Sequence, residues 1–518
     1  MSARRVRRVS KTSSAPAVAP TPASIPTHAP ASAPPPAWVA KLAALGRSPL
    51  GYILASILVL LPCYWQARIQ AGDLSSHVYN SWLAQLIDAG KLPGLVVAPQ
   101  ATNILFNQIL SGLFRTLGPD LAQRIAVSMA VLVFVWGAFA FVSAASGRRA
   151  WSLLPCIAMV AYGWVFHMGF FDFYLGLGLS FWGLALAWEM QPKRVAAALA
   201  VFLLAFLAHA LACAWGLAFI AFLWAARRMG EARLLQVTGV ALGALIVAVI
   251  AVDSAWRTRW SSDQFKLITG ADQVRVFDDK YDALFLALLV VWVLMFVELI
   301  RQRGWRQILF GLPLQFSVLS AAGVLLLPGV ITIPGYRHNL VYIADRMSLG
   351  VAVCICALLA SAKARAWLQW SMAAVALVFF GFLFHDESAL NAFEARMQQM
   401  VMRLPAGQRI VSGANDPTLR VNAMAHMIDR VCIGRCYSYA NYEPSTWQFR
   451  VRAVSPNPYV ASTYADSFAL QTGQYIVKPK DLPLYEVTLD DQGNQIIVSL
   501  QAGSPTGSKF CKILPDIL

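Results

Sequence analysis

The sequence predicts an all-α polytopic membrane bundle of about eleven transmembrane helices, followed by a C-terminal α+β domain outside the cytoplasm. Three observations carry this. Of the 518 residues, 58% are hydrophobic and only 13% are charged, whereas soluble domains carry about 25% charged residues. Several apolar runs reach the roughly 18 residues that cross a bilayer core. The basic residues are unevenly shared among the segments between those runs. A mean hydropathy of +0.57 excludes both a soluble globular enzyme and a disordered chain.

Residues 1–48 hold seven Lys or Arg and no acid. Residues 1–37 are rich in Arg, Ala, Ser and Pro, cannot build a core, and read as a disordered cytoplasmic tail. The first apolar run starts near Pro49, too far from the start of the chain for a signal peptide. Spans are expected at 49–67, 120–143, 151–166, 174–190, 195–209, 210–226, 233–252, 283–300, 308–327, 347–362 and 368–385. The run 195–226 lies between Lys193-Arg194 and Arg227-Arg228. As one helix it would be roughly 48 Å long, too long for a core of about 30 Å. Its two basic ends both face the cytoplasm, so two short helices turning at His209 are expected.

The net charge of +16 and pI near 9.7 invite a nucleic-acid reading, but their distribution argues for topology and against a nucleic-acid partner. With the tail inside, the cytoplasmic side carries 19 basic against 3 acidic residues, and the outer loops carry 11 of each. That is the positive-inside pattern. Eleven spans then place residues 386–518 outside. This soluble part opens with helical spacing at 389–404 and continues with short strands at 409–412, 475–478, 485–489 and 495–500, punctuated by turns. The expected domains are therefore the tail 1–48, the membrane region 49–385 and the outer domain 386–518. The long outer segments 68–119, 253–282 and 328–346 are where a site can be built above the bundle.

The first outer loop is the most informative segment. Leu74, Val78, Trp82 and Leu86 form an i,i+4 apolar stripe, with His77, Ser81, Gln85 and Asp88 on another face. This predicts an amphipathic helix lying at the outer membrane surface, with a second at 103–117. Asp73 has two readings. It is the N-cap of the first helix, or a carboxylate able to deprotonate or orient an acceptor. His77 lies one turn further along the same face.

An Asp just after the first span, a pair of interfacial helices and the turn Gly90-Lys-Leu-Pro-Gly94 resemble the first periplasmic loop of GT-C glycosyltransferases. This group includes aminoarabinose transferases, protein mannosyltransferases and oligosaccharyltransferase catalytic subunits. The Leu- and Gly-rich stretch 175–188, the pair broken at His209 and an outer soluble domain resemble uncharacterised bacterial members. The resemblance covers the architecture of 49–385, and Asp73 is the position that matches the family's catalytic acid. It implies a bacterial inner-membrane enzyme that takes a sugar from a polyprenyl-phosphate-linked donor. The acceptor is a lipid, glycan or protein on the periplasmic side, Asp73 is base or orienter, and the anomeric carbon inverts. No nucleotide site is needed, in keeping with the lack of a Gly-rich loop ending in Lys-Ser/Thr.

The departing lipid phosphate needs positive charge. Arg346 is the leading candidate, because a guanidinium can clamp phosphate bidentately. It reads equally well as an interfacial anchor or a partner of Asp345. Arg337 and His338 are further candidates in the same loop. His167 and Asp172, in the segment joining two spans, can help bind sugar hydroxyls or a divalent metal, although a lone carboxylate there is more commonly a helix cap. The charged loop 253–282 reads as a flap over the site or as a solvated loop anchored by Trp256 and Trp260. Cys432, Cys436 and Cys511 permit three pairings in an oxidising compartment. The rival functional class is a multi-pass transporter or flippase of a lipid or glycan precursor. It would require repeats and buried coupling charges, and no repeat is seen.

Overall fold

The computed structural model describes residues 48–507 and 509–510. The expected tail, apart from Ser48, and Cys511 lie outside the described residues.

Every expected span coincides with a helix, but the count of eleven crossings does not hold. Among the described residues six helices are long and apolar enough to cross a membrane: Leu105–Ser146, Trp151–Met168, Ala210–Met229, Glu231–Ala255, Tyr281–Arg303 and Ala366–Val401. The remaining expected spans are the shorter helices Pro49–Leu60, Phe171–Ala187, Pro192–Ala208, Leu312–Leu326 and Ile343–Leu359. Even 17 residues rise only about 26 Å, short of a full hydrocarbon core. By length and composition the structure thus supports six crossings rather than eleven among the described residues. The apolar side chains left uncovered, such as Leu377 at 77% and Val240 at 74% exposure, are where lipid takes the place of protein.

Two details of the bundle follow directly from sequence. The run 195–226 breaks at His209, whose backbone is extended (φ −162, ψ 120) and whose Nδ1 accepts from Leu211 N. The two arms pack face to face, with Phe202 against Gly216. The helices Leu105–Ser146 and Phe171–Ala187 cross closely at Gly137 and Gly178, because a Cβ on Gly137 would lie 2.4 Å from Gly178 O. Small residues at such crossings let backbones approach.

The long element Leu105–Ser146 is two helices merged across a kink at Gly118, with Pro119 restarting the second. Its first arm is the expected helix 103–117. Protein covers much of the helix Leu74–Asp88: Leu74, Ser75, Ser76, Val78, Tyr79, Asn80, Ser81, Leu83 and Ala84 are all buried, while Asp88 at its end is exposed.

The cover is the C-terminal domain. Its helix 389–404 is continuous with the last span, as the single helix Ala366–Val401. A four-stranded sheet runs in the order Tyr437–Ser438, Arg409–Ser412, Leu484–Leu489, Gln495–Ser499, with the last pair antiparallel and the others parallel. The expected strand 475–478 is reduced to a single bridge from Ile476 to Pro505. The domain is stitched to the loops. Leu95–Val97 of the first loop pairs antiparallel with Val451–Ala453, and Arg420 bonds Asp279 and Asp282 of the 253–282 loop. That loop in turn pairs with the next through Arg257–Arg259 and Val330–Thr332, so it is anchored at both its ends. All three long loops and the C-terminal domain thus meet on one side of the bundle. Cys432 and Cys436 form a disulfide, and the other described cysteines are free and buried.

Candidate functional site

Asp73 is positioned by its backbone. Gly72 N and Asp73 N donate to His167 O and Met168 O at 2.8 and 3.0 Å. Gly169 closes the short helix Trp164–Met168 at φ 84, and a Cβ there would stand 2.5 Å from Asp73 N. Only glycine allows that contact.

Asp73 occupies the N-cap position of Leu74–Asp88, but its backbone is already helical (φ −68, ψ −11) and its side chain makes no capping bond. The usual structural task of an aspartate at this position is not performed. Instead Oδ1 lies 3.7 Å from Nε2 of His426, with the carboxylate 23% exposed. On the far side of the ring, His426 Nδ1 donates to Asp429 Oδ2 at 2.9 Å, and Asp429 Oδ1 accepts from Ser438 Oγ. The carboxylate fixes which nitrogen carries the proton and which way the ring faces. Burial pulls the His426 pKa down, but the bond to Asp429 and the charges of Asp429, Asp73 and Glu443 outweigh it, so the net shift is upward.

Three of the predicted residues share the electrostatic surroundings of Asp73. Arg346 stands in the first turn of Ile343–Leu359, 3.8 Å over the Phe170 ring. Its Nε is buried without a hydrogen-bond partner, and it interacts with Asp73, Tyr442, Asp345 and Tyr342. His338 packs against Tyr442 and Tyr464 at 6.0 and 5.5 Å between centroids. Burial lowers its pKa, and the Asp73 charge opposes this. His77 lies 2.9 Å from Asn107 Oδ1, and burial lowers its pKa too, again against the pull of Asp73.

The other three have separate partners. Arg337 lies 4.5 Å over the Trp447 ring and donates to Ser445 O at 3.2 Å. The His167 ring is held between Gly163 O at 3.2 Å and Glu387 Oε1 at 3.1 Å. Asp172 accepts from Phe106 N and Asn107 Nδ2, each at 2.8 Å, and so caps the start of Leu105–Ser146. Asp172 reaches the site only indirectly, through Asn107 to His77. Weighed as metal ligands, His167 and Asp172 do not converge. Among the described residues no group of three or more His, Cys, Asp or Glu could hold a metal ion.

Sequence reading missed His426, Asp429 and Arg450, which the C-terminal domain contributes together with Tyr442 and Glu443. Glu443 is buried, accepts from Ser76 Oγ at 3.3 Å, and is pushed up to about 8 chiefly by burial. Arg450 is buried and donates to Ser111 Oγ at 2.7 Å and Ser81 Oγ at 3.4 Å. The sequence did hold one signal. Ser76, Asn80 and Ser81 crowd a helix expected to face lipid, and such polar groups need polar partners.

Comparison with protein-family models, with curated proteins and with solved structures finds no match for this chain. What the site can do therefore has to be read from its own geometry. A carboxylate with free lone pairs can take a proton, and the guanidinium and imidazoles around it can offset developing negative charge.

Proposed function

We propose that the protein is a GT-C-type membrane glycosyltransferase. It transfers a sugar from a polyprenyl-phosphate-linked donor to a lipid, glycan or protein acceptor at the outer face of a bacterial inner membrane. One observation carries this reading. Asp73 sits where an N-cap belongs, does no capping, and faces a cluster of basic side chains where the outer loops meet the C-terminal domain. Asp73 accepts the proton of the acceptor hydroxyl as its oxygen attacks the anomeric carbon. The bond from that carbon to the phosphate oxygen breaks, and its electron pair leaves with the polyprenyl phosphate. The configuration at carbon inverts. Arg346 and His338 offset the charge that develops on the phosphate, and His77 lies beside the attacking group. The excess of basic residues in the segments expected to be cytoplasmic supports a cytoplasmic N-terminus. A Cys432–Cys436 disulfide suits an oxidising compartment such as the periplasm.

The test compares lipid-linked sugars and extracytoplasmic glycans by mass spectrometry in wild type, a deletion strain, and the deletion strain carrying Asp73→Asn at equal level. The expected result is loss of one glycan decoration in both deficient strains, with accumulation of the same polyprenyl-phosphate sugar. A deletion phenotype that Asp73→Asn fully restores contradicts the enzyme and favours transport.

A further inference from the structure

We propose that the C-terminal domain completes the site by supplying His426 as a positioning residue, a protonated imidazole locked by Asp429 that holds the Asp73 carboxylate in its working orientation. This rests on the proposed function of Asp73. The geometry is a row of groups from two distant parts of the chain: Ser438, Asp429, His426 and Asp73. Asp429 and Ser438 hold the ring from behind, so Nε2 is the atom left to face Asp73. At 3.7 Å the contact is an ion pair rather than a tight hydrogen bond. It can therefore steer the carboxylate while leaving its lone pairs available to an acceptor hydroxyl.

Three features set this pair apart from an ordinary buried ion pair. His426 is buried at 6% exposure, while Asp73 opens to the outside. The helix N-terminus next to Asp73 does not hold the carboxylate, so His426 is the group that orients it. The charged and titratable groups facing His426 are mostly acidic: Asp429 from the helix Met427–Cys432 that follows it, Asp73 from the first loop and Glu443 from a later segment. His77 from the first loop also interacts with it, as a basic group, and Tyr442 packs against its ring at 5.4 Å. This surrounding favours the charged ring. The assignment also explains why a soluble domain is fastened so closely over the first loop. The loop carries the carboxylate, and the domain carries the group that aims it.

The consequence is an alkaline limit to the activity. Product formation needs His426 protonated, so activity falls on the alkaline side as His426 loses its proton. Asp429 favours the proton on His426, so removing its charge moves the alkaline limb to lower pH. A purely structural His426 would scale the rate equally at every pH.

The experiment uses full-length protein in membranes from the deletion strain, with the endogenous lipid-linked donor and the glycan product that the Asp73→Asn comparison identifies. Product formation is followed between about pH 5 and 9 for wild type, His426→Gln and Asp429→Asn. In parallel, deuterium exchange at the histidine C2 position is read peptide by peptide to titrate His426. The expected result for His426→Gln is a loss of roughly ten- to a hundredfold with no alkaline limb of its own. Asp429→Asn should move both the limb and the His426 midpoint to lower pH, from a wild-type midpoint above 6.5. If His426→Gln keeps the wild-type rate and profile while Asp73→Asn is inactive, His426 has no such role and the glycosyltransferase reading survives. If Asp73→Asn is active too, both fail. Should His426→Gln not reach the membrane, Asp429→Asn decides, and an unmoved limb overturns the proposal.

Discussion

Two sets of carboxylates lie where the helices meet the C-terminal domain, and they are treated differently. Glu394 takes Arg430 Nε and Nη2 at 2.8 and 2.6 Å and Gln70 Nε2 at 2.8 Å. Asp386 takes Lys280 Nζ at 2.6 Å and Tyr281 OH at 2.8 Å. Glu387 takes Trp65 Nε1 at 2.6 Å and faces His167. All three are buried and fully engaged. Asp73, on the same side of the bundle, makes no side-chain hydrogen bond among the described residues; His426 approaches it at 3.7 Å, and Arg346, His338 and His77 act on it only through their charge. On the proposed function, the difference separates fastening from chemistry. A buried carboxylate that serves the fold spends its lone pairs on donors, and one that serves a reaction keeps them.

The sharpest way to break this comparison is to cut the fastening. Glu394→Ala leaves the Arg430 guanidinium buried without its partner, and such a loss costs about 3–5 kcal/mol. Thermal melting of the purified protein in detergent should show a larger destabilisation than substitution of Arg346, Glu443 or Arg337. Product formation should fall with it, because His426 is carried on the same domain. A melting curve like that of wild type would show that the ion pair does not hold the domain in place.

Arg346→Ala comes next and should act the other way round. Its Nε has no hydrogen bond to lose, and its contact over the Phe170 ring is worth about 0.5–2 kcal/mol, so stability should change by no more than that. Product formation should drop by about 10²–10³, the usual scale for removing a donor that offsets developing charge. Arg346→Lys should recover only part of it, since an ammonium cannot clamp phosphate through two parallel bonds. Full activity of Arg346→Ala would remove Arg346 from the site.

Glu443 tests how burial works between the two sets. Its pKa is raised from 4.5 to about 8, so the folded state holds a proton that the unfolded chain releases. Its stability contribution is fully present below pH 4.5 and is lost as the pH rises towards 8. Glu443→Gln should therefore melt about 2–4 °C higher than wild type near pH 8 and equally at pH 4. A shift of the same size at both pH values would mean that packing, not ionisation, is responsible. The smallest effect belongs to Arg337→Ala. It removes a cation–π contact with the exposed Trp447 and a hydrogen bond to Ser445 O, together worth about 1–2 kcal/mol, and should leave product formation close to wild type.

Local sequence patterns revealed the helices and little of what joins them. The break at His209 was legible because basic pairs bracket a run too long for one crossing. Asp73 was legible by its place after the first span. Run length failed for the five shorter helices, because apolar composition reports burial and not whether protein or lipid does the burying. The same ambiguity affects the helix Leu74–Asp88, whose apolar stripe fits a membrane surface as well as a protein cover. The pairing of Leu95–Val97 with Val451–Ala453, and the meeting of Asp73 with His426, join positions about 350 residues apart. Nothing local encodes such contacts. The spacing of His426 and Asp429 fits one helical turn, but it gains meaning only once Asp73 is seen beside it.

The most direct test of the account is Asp73→Asn, measured twice on one preparation: melting temperature and product formation. Because Asp73 neither caps its helix nor holds the domain, the amide should leave stability within about 0.5 kcal/mol of wild type. Product should fall by about 10²–10⁴. A variant that melts markedly lower and loses product only in proportion would show that Asp73 belongs with the fastening carboxylates after all.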